Sequence, residues 1–249
     1  MNHKFHIGIL LTVITLGWIM LPAAGIGADK ETLKADVKTN VMPVRWDQAF
    51  LRLIPSPDKG KLERGEILCE IKKAGSDTLL AQTIGLIKAK TEDCYKVVRN
   101  YNQYINLMPC TVESKVIRSF QLEGENAGAE AVDFWTRVRV FGFNTRYLLR
   151  IAHLPEPNKQ QFRSFWTLVD HPDQLPACLD NEKKTCRNDL VVNLGSHKFE
   201  PFPGNSNYTL HTYTLTVSGK SWLQQTALHL GGKKSMEDVT LAIRKVLEK

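Results

Sequence analysis

The sequence lacks the short motifs by which many enzymes are recognised. It has no Gly-x-Ser-x-Gly nucleophile elbow and no Cys–His signature of a thiol enzyme. The histidines after residue 28 show neither metal-ligand spacing nor an obvious carboxylate partner; they are His153, His171, His197, His211 and His229. We therefore predict no catalytic residue, no metal and no cofactor, and an enzyme remains the alternative.

The chain also lacks any run of basic residues. It has 33 Lys and Arg against 26 Asp and Glu, a formal net charge of +7, but the basic residues are scattered along its length. Nucleic-acid-binding proteins concentrate such residues in patches or arms, so no nucleic-acid partner is expected. The excess of positive charge favours contact with anionic lipid surfaces. A generally basic soluble protein would have the same composition.

Long apolar runs are scarce, and the clearest lies near the N-terminus. Residues 1–28 contain Lys4, the run IGILLTVITLGWIML, Pro22 and small residues up to Ala28, which is the pattern of a secretory signal peptide. The run is shorter than the ~20 residues that a membrane span needs. We expect cleavage before Asp29, which removes one positive charge, and a periplasmic or extracellular location. Cleavage after Gly25 and an uncleaved anchor are the alternatives.

Cysteine is sparse, with five residues that all follow the predicted signal peptide. Export would place them in an oxidising compartment. Cys178 and Cys186 bracket the polar segment LDNEKKT, and Cys94 and Cys110 flank a break between two helices. We predict a disulfide within each pair and a buried free thiol at Cys69, although spacing alone does not establish connectivity.

After the predicted signal peptide, the residue pattern changes once, from a mostly polar segment to a domain that begins with two strands. Residues 29–60 are polar apart from AFLRLI and end at the breaking sequence PSPDKG, which indicates an N-terminal arm or helix. Residues 61–249 are predicted to form a single domain. It begins with the strands EILCEIKKA and LLAQTIGLIK, which are joined by turn residues. The polar segment HPDQLPACLDNEKKTCRN, residues 171–188, is longer than a hairpin needs and is either a lid or partner contact, or a surface insertion.

Two short helices are predicted after these strands. TEDCYKVVRN begins with Thr91 as N-cap, and a second helix carries Tyr101 and Tyr104. Pro109 biases Met108 toward extended geometry and so ends the helix. Six extended runs bounded by Gly, Pro, Asn or Asp follow: TVESKVIRSFQL, EAVDFWTRVRVF, TRYLLRIAHL, QQFRSFWTLV, DLVVNLGSHKF and NYTLHTYTLTVS.

The chain ends in an amphipathic helix, for which Ser235 is the predicted N-cap. Its apolar stripe consists of Met236, Val239, Ile243, Val246 and Leu247. The stripe needs a partner surface, and the predicted sheet is the one candidate large enough. The chain is therefore predicted to be an α+β protein.

Strand alternation indicates which side chains face the helices. The predicted inward set is Val132, Phe134, Thr136, Val138, Val140, Tyr147, Leu149, Ile151, Tyr213, Leu215 and Val217. Asp133, Trp135, Arg137 and Arg139 would face the other way. A register shifted by one residue would instead place Arg137 with His211 and Tyr213 in a polar cluster.

This order of elements resembles the START lipid-transfer domains of the helix-grip superfamily, which also holds polyketide cyclases and plant pathogenesis-related allergens. The resemblance rests on the segments GEILCEI, AKTEDCYKVVRNYNQYINLMPCTVESKVI, DFWTRVRVFGFNTRYLLRI and SGKSWLQQTALHLGGKKSMEDVTLAIRKVL. It implies a curved antiparallel sheet wrapped around a long C-terminal helix, with two short helices after the second strand. It also implies an internal apolar cavity for one lipid, sterol or fatty-acyl compound.

The inward faces and the resemblance together give a set of candidate ligand-binding residues. They are Tyr101, Tyr104, Met108, Phe134, Val138, Val140, Tyr147, Leu149, Trp166, Tyr213, Leu215, Val239 and Ile243. The tyrosines of the short helices would plug one end of the cavity, or would serve for packing alone. The expected function is non-catalytic binding, and with it transfer, of a hydrophobic ligand. A cyclase- or hydrolase-like enzyme and a secreted interaction module with a closed cavity are the alternatives.

A membrane-contact site is predicted beside the last helix. Trp222 and Leu223 would touch the bilayer during ligand exchange, and Lys220, Lys233 and Lys234 would attract anionic headgroups. Packing of Trp222 under the helix is the alternative. A monomer is expected.

Overall fold

The computed structural model describes residues 34–36, 39–75, 77–140, 142–170, 188–220 and 222–248, without the side chains of Trp46 and of residues 222–231. The predicted signal peptide and most of the 171–188 segment, including Cys178 and Cys186, lie outside the described residues. Within them the chain forms one largely antiparallel sheet with the C-terminal helix on its inner face.

The sheet follows from the alternating runs found in the sequence. Its strands run in the order β2-β3-β9-β8-β7-β6-β5-β4, each antiparallel to its neighbours, and the short β1 pairs in parallel with β7. They are β1 (Ala35–Asp36), β2 (Leu68–Ala74), β3 (Thr78–Ile87), β4 (Thr111–Gln121), β5 (Glu130–Val140), β6 (Phe143–Glu156), β7 (Gln161–Asp170), β8 (Leu190–Phe202) and β9 (Asn205–Gly219). The six strands predicted after Pro109 are confirmed.

The helices are short except for the last. They are α1 (Trp46–Ala49), α2 (Lys59–Glu63), α3 (Thr91–Arg99), α4 (Tyr104–Leu107) and α5 (Trp222–Leu247), with 3-10 turns at Tyr101–Gln103, Gly124–Asn126 and Pro157–Lys159. The α+β class, the curved sheet, the two short helices α3 and α4 and the long C-terminal helix agree with the predicted helix-grip architecture.

Two predicted helix starts are wrong. The N-cap of α3 is Lys90, and Thr91 is already its first helical residue, because the backbone of Lys90 is extended. Helix α5 begins at Trp222 and not at Ser235. It passes through Gly231 and Gly232, a pair that disfavours helix in isolated sequence, since its packing against the sheet outweighs this local preference.

The inner face of the sheet packs against α5 as predicted. Met236, Val239 and Ile243 are buried, and Val246 and Leu247 pack at the edge of the core. Gly85 on β3 permits this approach, because a Cβ atom there would lie 2.7 Å from Thr240 Cγ2 of the helix. The end of α4 is also as expected, since Met108 has extended dihedral angles immediately before Pro109.

The outer face of the sheet is covered as well, which the sequence did not reveal. Residues 34–36 and 39–54, here called the N-terminal strap, lie along it. Met42, Val44 and Ala49 pack on Phe165 and Leu194. Further along, Ala35 packs with Trp135, Leu148 and Val169. Asp133 and Trp135, which alternation assigned to the face away from the helices, are therefore buried.

Polar side chains of the outer face hold the N-terminal strap in place. The buried Gln82 side chain donates to Leu51 O at 2.6 Å and accepts from the backbone N–H groups of Leu53 and Ile54 at 2.9 and 2.7 Å. Ser196 and Thr214 both donate to Ala49 O. Each of these buried polar groups thus has a partner, which burial requires.

Candidate functional site

A cavity of about 220 Å³ lies between the inner face of the sheet, helices α3 and α4, and helix α5. This far exceeds the ~10–15 Å³ that one water needs. The structure places these candidate ligand-binding residues in its wall: Tyr101, Tyr104, Met108, Phe134, Val138, Val140, Tyr147, Leu149, Trp166, Tyr213, Leu215 and Val239. That they bind a ligand stays a prediction.

Ile243 is the candidate that the cavity does not include. It is fully buried with Ile87, Cys94 and Phe199 in the packed region next to the cavity. Val239 lies one helical turn earlier and lines the cavity. The apolar stripe of α5 therefore lines the cavity at Val239 and packs into the solid core one turn later, at Ile243.

Cys110 and Phe143 mark an opening of the cavity. Both line it, and both are also exposed at the molecular surface, Phe143 to 42% of its maximum. The Cys110 backbone has a φ of 60°, which turns the chain sharply from α4 into β4. The wall of the cavity therefore reaches the molecular surface beside the α4–β4 and β5–β6 connections.

The predicted disulfide between Cys94 and Cys110 is wrong. Both are free thiols, as is Cys69. Cys94 is a residue of α3 and is fully buried against α5, whereas Cys110 follows α4 and lines the cavity. Burial raises the pKa of Cys94 to about 12, so its thiol stays protonated. The pair formed by Cys178 and Cys186 lies outside the described residues.

Tyr101, which lines the cavity, is held by a histidine that the sequence did not single out. Its hydroxyl lies 2.9 Å from His153 Nε2, and the Tyr95 hydroxyl lies 2.9 Å from His153 Nδ1. The Tyr101 ring also packs on Phe134, with centroids 4.9 Å apart. Burial lowers the pKa of His153 to about 3, so a neutral imidazole bridges the two phenols.

A second polar chain connects the cavity wall to helix α5. His197 lines the cavity, and its Nδ1 lies 3.0 Å from His211 Nε2. The other nitrogen of His211 lies 3.0 Å from Thr240 Oγ1 on α5. Burial lowers the pKa of His197 to about 3 and that of His211 well below its usual range. These groups are neutral connectors between sheet and helix at neutral pH.

The alternation of β6, β8 and β9 holds the signal that would have identified these histidines. His153 and Tyr147 are an even number of positions apart on β6, as are His211 and Tyr213 on β9. Each histidine therefore lies on the same face of its strand as that tyrosine. His197 pairs directly with Tyr213 across β8 and β9. All three histidines therefore belong to the inward face. Motif spacing along the sequence was the wrong test, because the connections run across strands.

A third polar group is built around Trp166. Its Nε1 donates to Asn193 Oδ1 at 2.9 Å, and both residues line the cavity. The indole lies across β8 at Gly195, where a Cβ atom would come within 2.3 Å of Trp166 Cζ2. Gly195 is thus required for the position of Trp166.

None of the described residues that line the cavity is a Lys, Arg, Asp or Glu. Arg137, which a one-residue register shift would have turned inward, pairs with Glu113 on the outer face at 3.0 Å. The alternative register is therefore wrong. Across the described part of the chain, no three His, Cys, Asp or Glu side chains come together as potential metal ligands.

The predicted membrane-contact residues are spread from just before α5 to the middle of that helix. Trp222 and Leu223 belong to the helix rather than preceding it, and their side chains lie outside the described part of the structure. Lys220, Lys233 and Lys234 are exposed. Among the described residues no helix has both the length and the apolar composition to cross a bilayer.

Comparison with known proteins gives fold-level similarity only. No protein-family model matches the sequence, and no curated protein matches it significantly. Among solved structures, a fragment of a STAR-related lipid transfer protein from Xanthomonas axonopodis superposes with a TM-score of 0.54 at 17% identity, covering 74% of this chain and 94% of that one. Human StAR-related lipid transfer protein 5 superposes with a TM-score of 0.53 at 13% identity, covering 72% and 86%. The chain therefore has the helix-grip fold of the START lipid-transfer domains.

Proposed function

We propose that the chain binds a hydrophobic ligand, a lipid, sterol or fatty-acyl compound, in its internal cavity without catalysing a reaction on it. The observation that carries the proposal is the cavity of about 220 Å³, lined by apolar and aromatic side chains and closed by α5. An apolar ligand there would gain about 0.8 kcal/mol for each methylene it buries. No covalent chemistry is needed to hold it.

Transfer between membranes extends this proposal. The opening at Cys110 and Phe143 gives the ligand a route that does not require the sheet to separate. Two of the structurally similar proteins, those compared above, are named as lipid transfer proteins. The apolar run and small residues of 1–28 support a location outside the cytoplasm, where a water-insoluble molecule needs a carrier.

Native mass spectrometry after gentle purification, followed by lipid extraction, tests the ligand-binding proposal. We expect a hydrophobic molecule to copurify with the chain. Val138→Phe, which fills part of the cavity, should lower its occupancy. Val41→Phe makes the same change at an exposed position and should leave occupancy unchanged. A chain that purifies empty and takes up no added lipid contradicts the proposal.

The proposal includes contact with an anionic membrane through Lys233, Lys234 and the start of α5. The two lysines precede Ser235, which lines the cavity, so the surface they form lies beside the ligand. Lys233 is partly neutralised by Glu237 at 3.9 Å. Attraction to anionic headgroups is about 1 kcal/mol per basic residue near the surface.

Vesicle sedimentation distinguishes this surface from general basicity. Changing Lys233 and Lys234 together to Glu should weaken binding to anionic vesicles about tenfold or more. The same double change at Lys59 and Lys61, both exposed on α2, is the matched control. Trp222→Ala tests the apolar part of the contact. Equal losses of vesicle binding in both double variants would show that net charge, and not this particular surface, causes the binding.

An enzyme acting on an apolar substrate is the second candidate, and His197 is the observation in its favour. This imidazole lines the cavity and is held by His211 through its Nδ1. His197→Gln would abolish turnover of such a substrate while the cavity still takes up ligand. The hollow interior argues against the third alternative, a module with a closed cavity.

A further inference from the structure

Two histidines and a threonine form a hydrogen-bonded row from the cavity wall to helix α5. His197 Nδ1 lies 3.0 Å from His211 Nε2, and His211 Nδ1 lies 3.0 Å from Thr240 Oγ1. Burial lowers the pKa of both histidines, so each ring is neutral and carries one proton. Each contact needs one proton between its two atoms. All the protons of the row therefore point toward the cavity, or all point toward α5.

The Thr240 hydroxyl determines which of these two directions applies. Thr240 has no solvent exposure, and among the described residues this hydroxyl bonds His211 alone. If Thr240 accepted from His211, its own proton would be buried without an acceptor, which is costly. Thr240 therefore donates to His211 Nδ1, and His211 Nε2–H donates to His197 Nδ1. His197 then carries its proton on Nε2.

The Nε2 atom of His197 reaches the cavity. It has no hydrogen-bond partner among the described residues, and it is also not one of their enclosed, partnerless polar atoms. His197 lines the cavity and keeps 8% of its surface exposed, so the open space that Nε2 meets is the cavity. The Tyr213 ring is stacked on the imidazole, with centroids 4.9 Å apart. The direction of this donor is thus set before a ligand binds.

The cavity around this donor offers no compensation for a charge. None of its described lining residues is a Lys, Arg, Asp or Glu. A carboxylate or phosphate held inside would lose its hydration without gaining a cation. An uncharged oxygen loses much less hydration and can still accept the one hydrogen bond that Nε2–H donates.

We propose that His197 Nε2–H, oriented by His211 and Thr240, binds an acceptor oxygen of an uncharged and otherwise apolar ligand. The inference rests on the proposed ligand-binding function and names the class of ligand: an ester, ketone, ether or alcohol. His197 contacts this ligand. Thr240 is a positioning residue, because it acts on the ligand only through His211.

Nitrogen NMR of isotopically labelled histidine rings tests the direction of the row in the full chain, with no ligand added. Protonated and bare ring nitrogens give separate signals, so the tautomer of each neutral ring can be read at neutral pH. We expect the Nε2–H tautomer at both His197 and His211. The Nδ1–H tautomer at both would overturn the inference, because His197 would then present an acceptor to the cavity.

Three probes of equal carbon number test the ligand class: methyl nonyl ketone, undecane and undecanoate, each competing with a neutral hydrophobic fluorophore for the full chain at neutral pH. We expect the ketone to bind about three- to tenfold more tightly than undecane, which is the effect of one net hydrogen bond. Undecanoate should bind at least about tenfold more weakly than the ketone.

The variant His197→Phe keeps a ring in the cavity wall but removes the donor. It should bring the affinities for the ketone and undecane to within about twofold of each other. Thr240→Val removes the hydroxyl that sets the direction, so it should narrow the ketone preference and allow the Nδ1–H tautomer to appear at His211. Thr240→Ser keeps a hydroxyl and should preserve both wild-type properties.

Thr216→Val is the matched control for Thr240→Val. Thr216 is also a buried threonine, but it lies on the outer face of the sheet, and its hydroxyl has no partner among the described residues. This change should leave the ketone preference and the histidine tautomers as they are in the wild type. If Thr240→Val does not fold, as judged by circular dichroism, the wild-type tautomers and His197→Phe still decide the question.

The outcomes separate this inference from the proposed function. A ketone preference that is absent in the wild type, or unchanged in His197→Phe, would overturn the donor at His197. Equal affinity of undecanoate and the ketone would overturn the uncharged ligand class. In each case uptake of undecane would still support the cavity as a binding site. Failure of all three probes to bind would overturn the proposed function together with the inference.

Discussion

Arg150 and Asp133 form an ion pair in which neither side chain has any solvent exposure. Arg150 Nε donates to Asp133 Oδ1 at 2.9 Å, and its Nη2 donates to Oδ2 at 3.1 Å. Arg118 adds a third bond to the same carboxylate at 2.6 Å. Arg150 Nη1 also donates to Val41 O, so this pair connects the outer face of the sheet to the N-terminal strap.

Asp133→Asn should be strongly destabilising, because it leaves two guanidinium groups facing an uncharged amide, one of them in a fully buried position. Breaking a buried pair on one side costs about 3–5 kcal/mol of unfolding free energy. Urea denaturation measures this loss. Glu113→Gln breaks the partly exposed pair with Arg137 and should cost about 0–1 kcal/mol. A similar loss of unfolding free energy in both variants would show that burial does not make the Asp133 pair more important for stability than the partly exposed pair.

Gly195→Ala should destabilise the fold by about 1–3 kcal/mol and displace Trp166. The new methyl group would lie 2.3 Å from Trp166 Cζ2 and 2.5 Å from the backbone oxygen of Thr214, and backbone cannot move aside cheaply. Thermal unfolding and ligand uptake both report the change. Gly232→Ala is the control, because its nearest neighbour would be Ile71 Cδ1 at 3.4 Å and alanine favours a helix by about 1 kcal/mol. A neutral Gly195→Ala would contradict the described packing.

Acid should destabilise the protein from about pH 6.5 downward. Burial lowers the folded-state pKa of His153 and His197 to about 3 and that of His211 well below its usual range, whereas unfolded histidine titrates near 6.5. Between these values the unfolded state binds more protons, so unfolding free energy falls as pH falls, by up to about 1.4 kcal/mol per pH unit for each histidine.

The variant His153→Gln tests the histidine origin of this dependence. Urea denaturation at pH 6.5 and pH 5 should show a loss about 1 kcal/mol smaller in the variant than in the wild type. Carboxylates contribute little in this window, because their unfolded pKa values lie near 4. An identical loss in both proteins would mean that His153 takes up its proton equally in the folded and unfolded states, and would contradict its burial as a neutral group.

Thiol labelling should rank the cysteines by burial and detect ligand. Cys110 is exposed, Cys69 is half-buried and Cys94 is fully buried. Under native conditions an alkylating reagent should modify Cys110 first and Cys94 last, as followed by peptide mass spectrometry. A ligand in the cavity should slow labelling of Cys110, because that residue lines it. A disulfide between Cys94 and Cys110 would leave neither open to labelling and would contradict the structure.

The sheet and its inward face were predictable because they depend on local alternation. Phe134, Val138 and Tyr147 could be assigned to the inward face from strand alternation alone, whereas the cavity that they line was implied by the family resemblance. The inward position of Val239 and Ile243 was equally clear from the stripe. That only Val239 meets the cavity depends on where α5 crosses the sheet, which no local pattern encodes.

The outer face was not predictable in this way. Asp133 and Arg150 alternate with apolar residues as solvent-facing groups do, and only their mutual pairing allows them to be buried. The strap that covers them contacts residues about a hundred positions away. The early start of α5 was missed for a related reason, since tertiary packing outweighs the glycine pair in that helix.

The strap described above has a practical consequence for protein preparation. It covers Phe165 and Leu194 on the side of the sheet that α5 does not reach. A chain shortened to begin at Lys61 would expose this apolar surface to water. Exposed apolar patches of this kind promote self-association. Insolubility of such a truncated fragment would then reflect the uncovered outer face of the sheet and not a defect in the internal cavity.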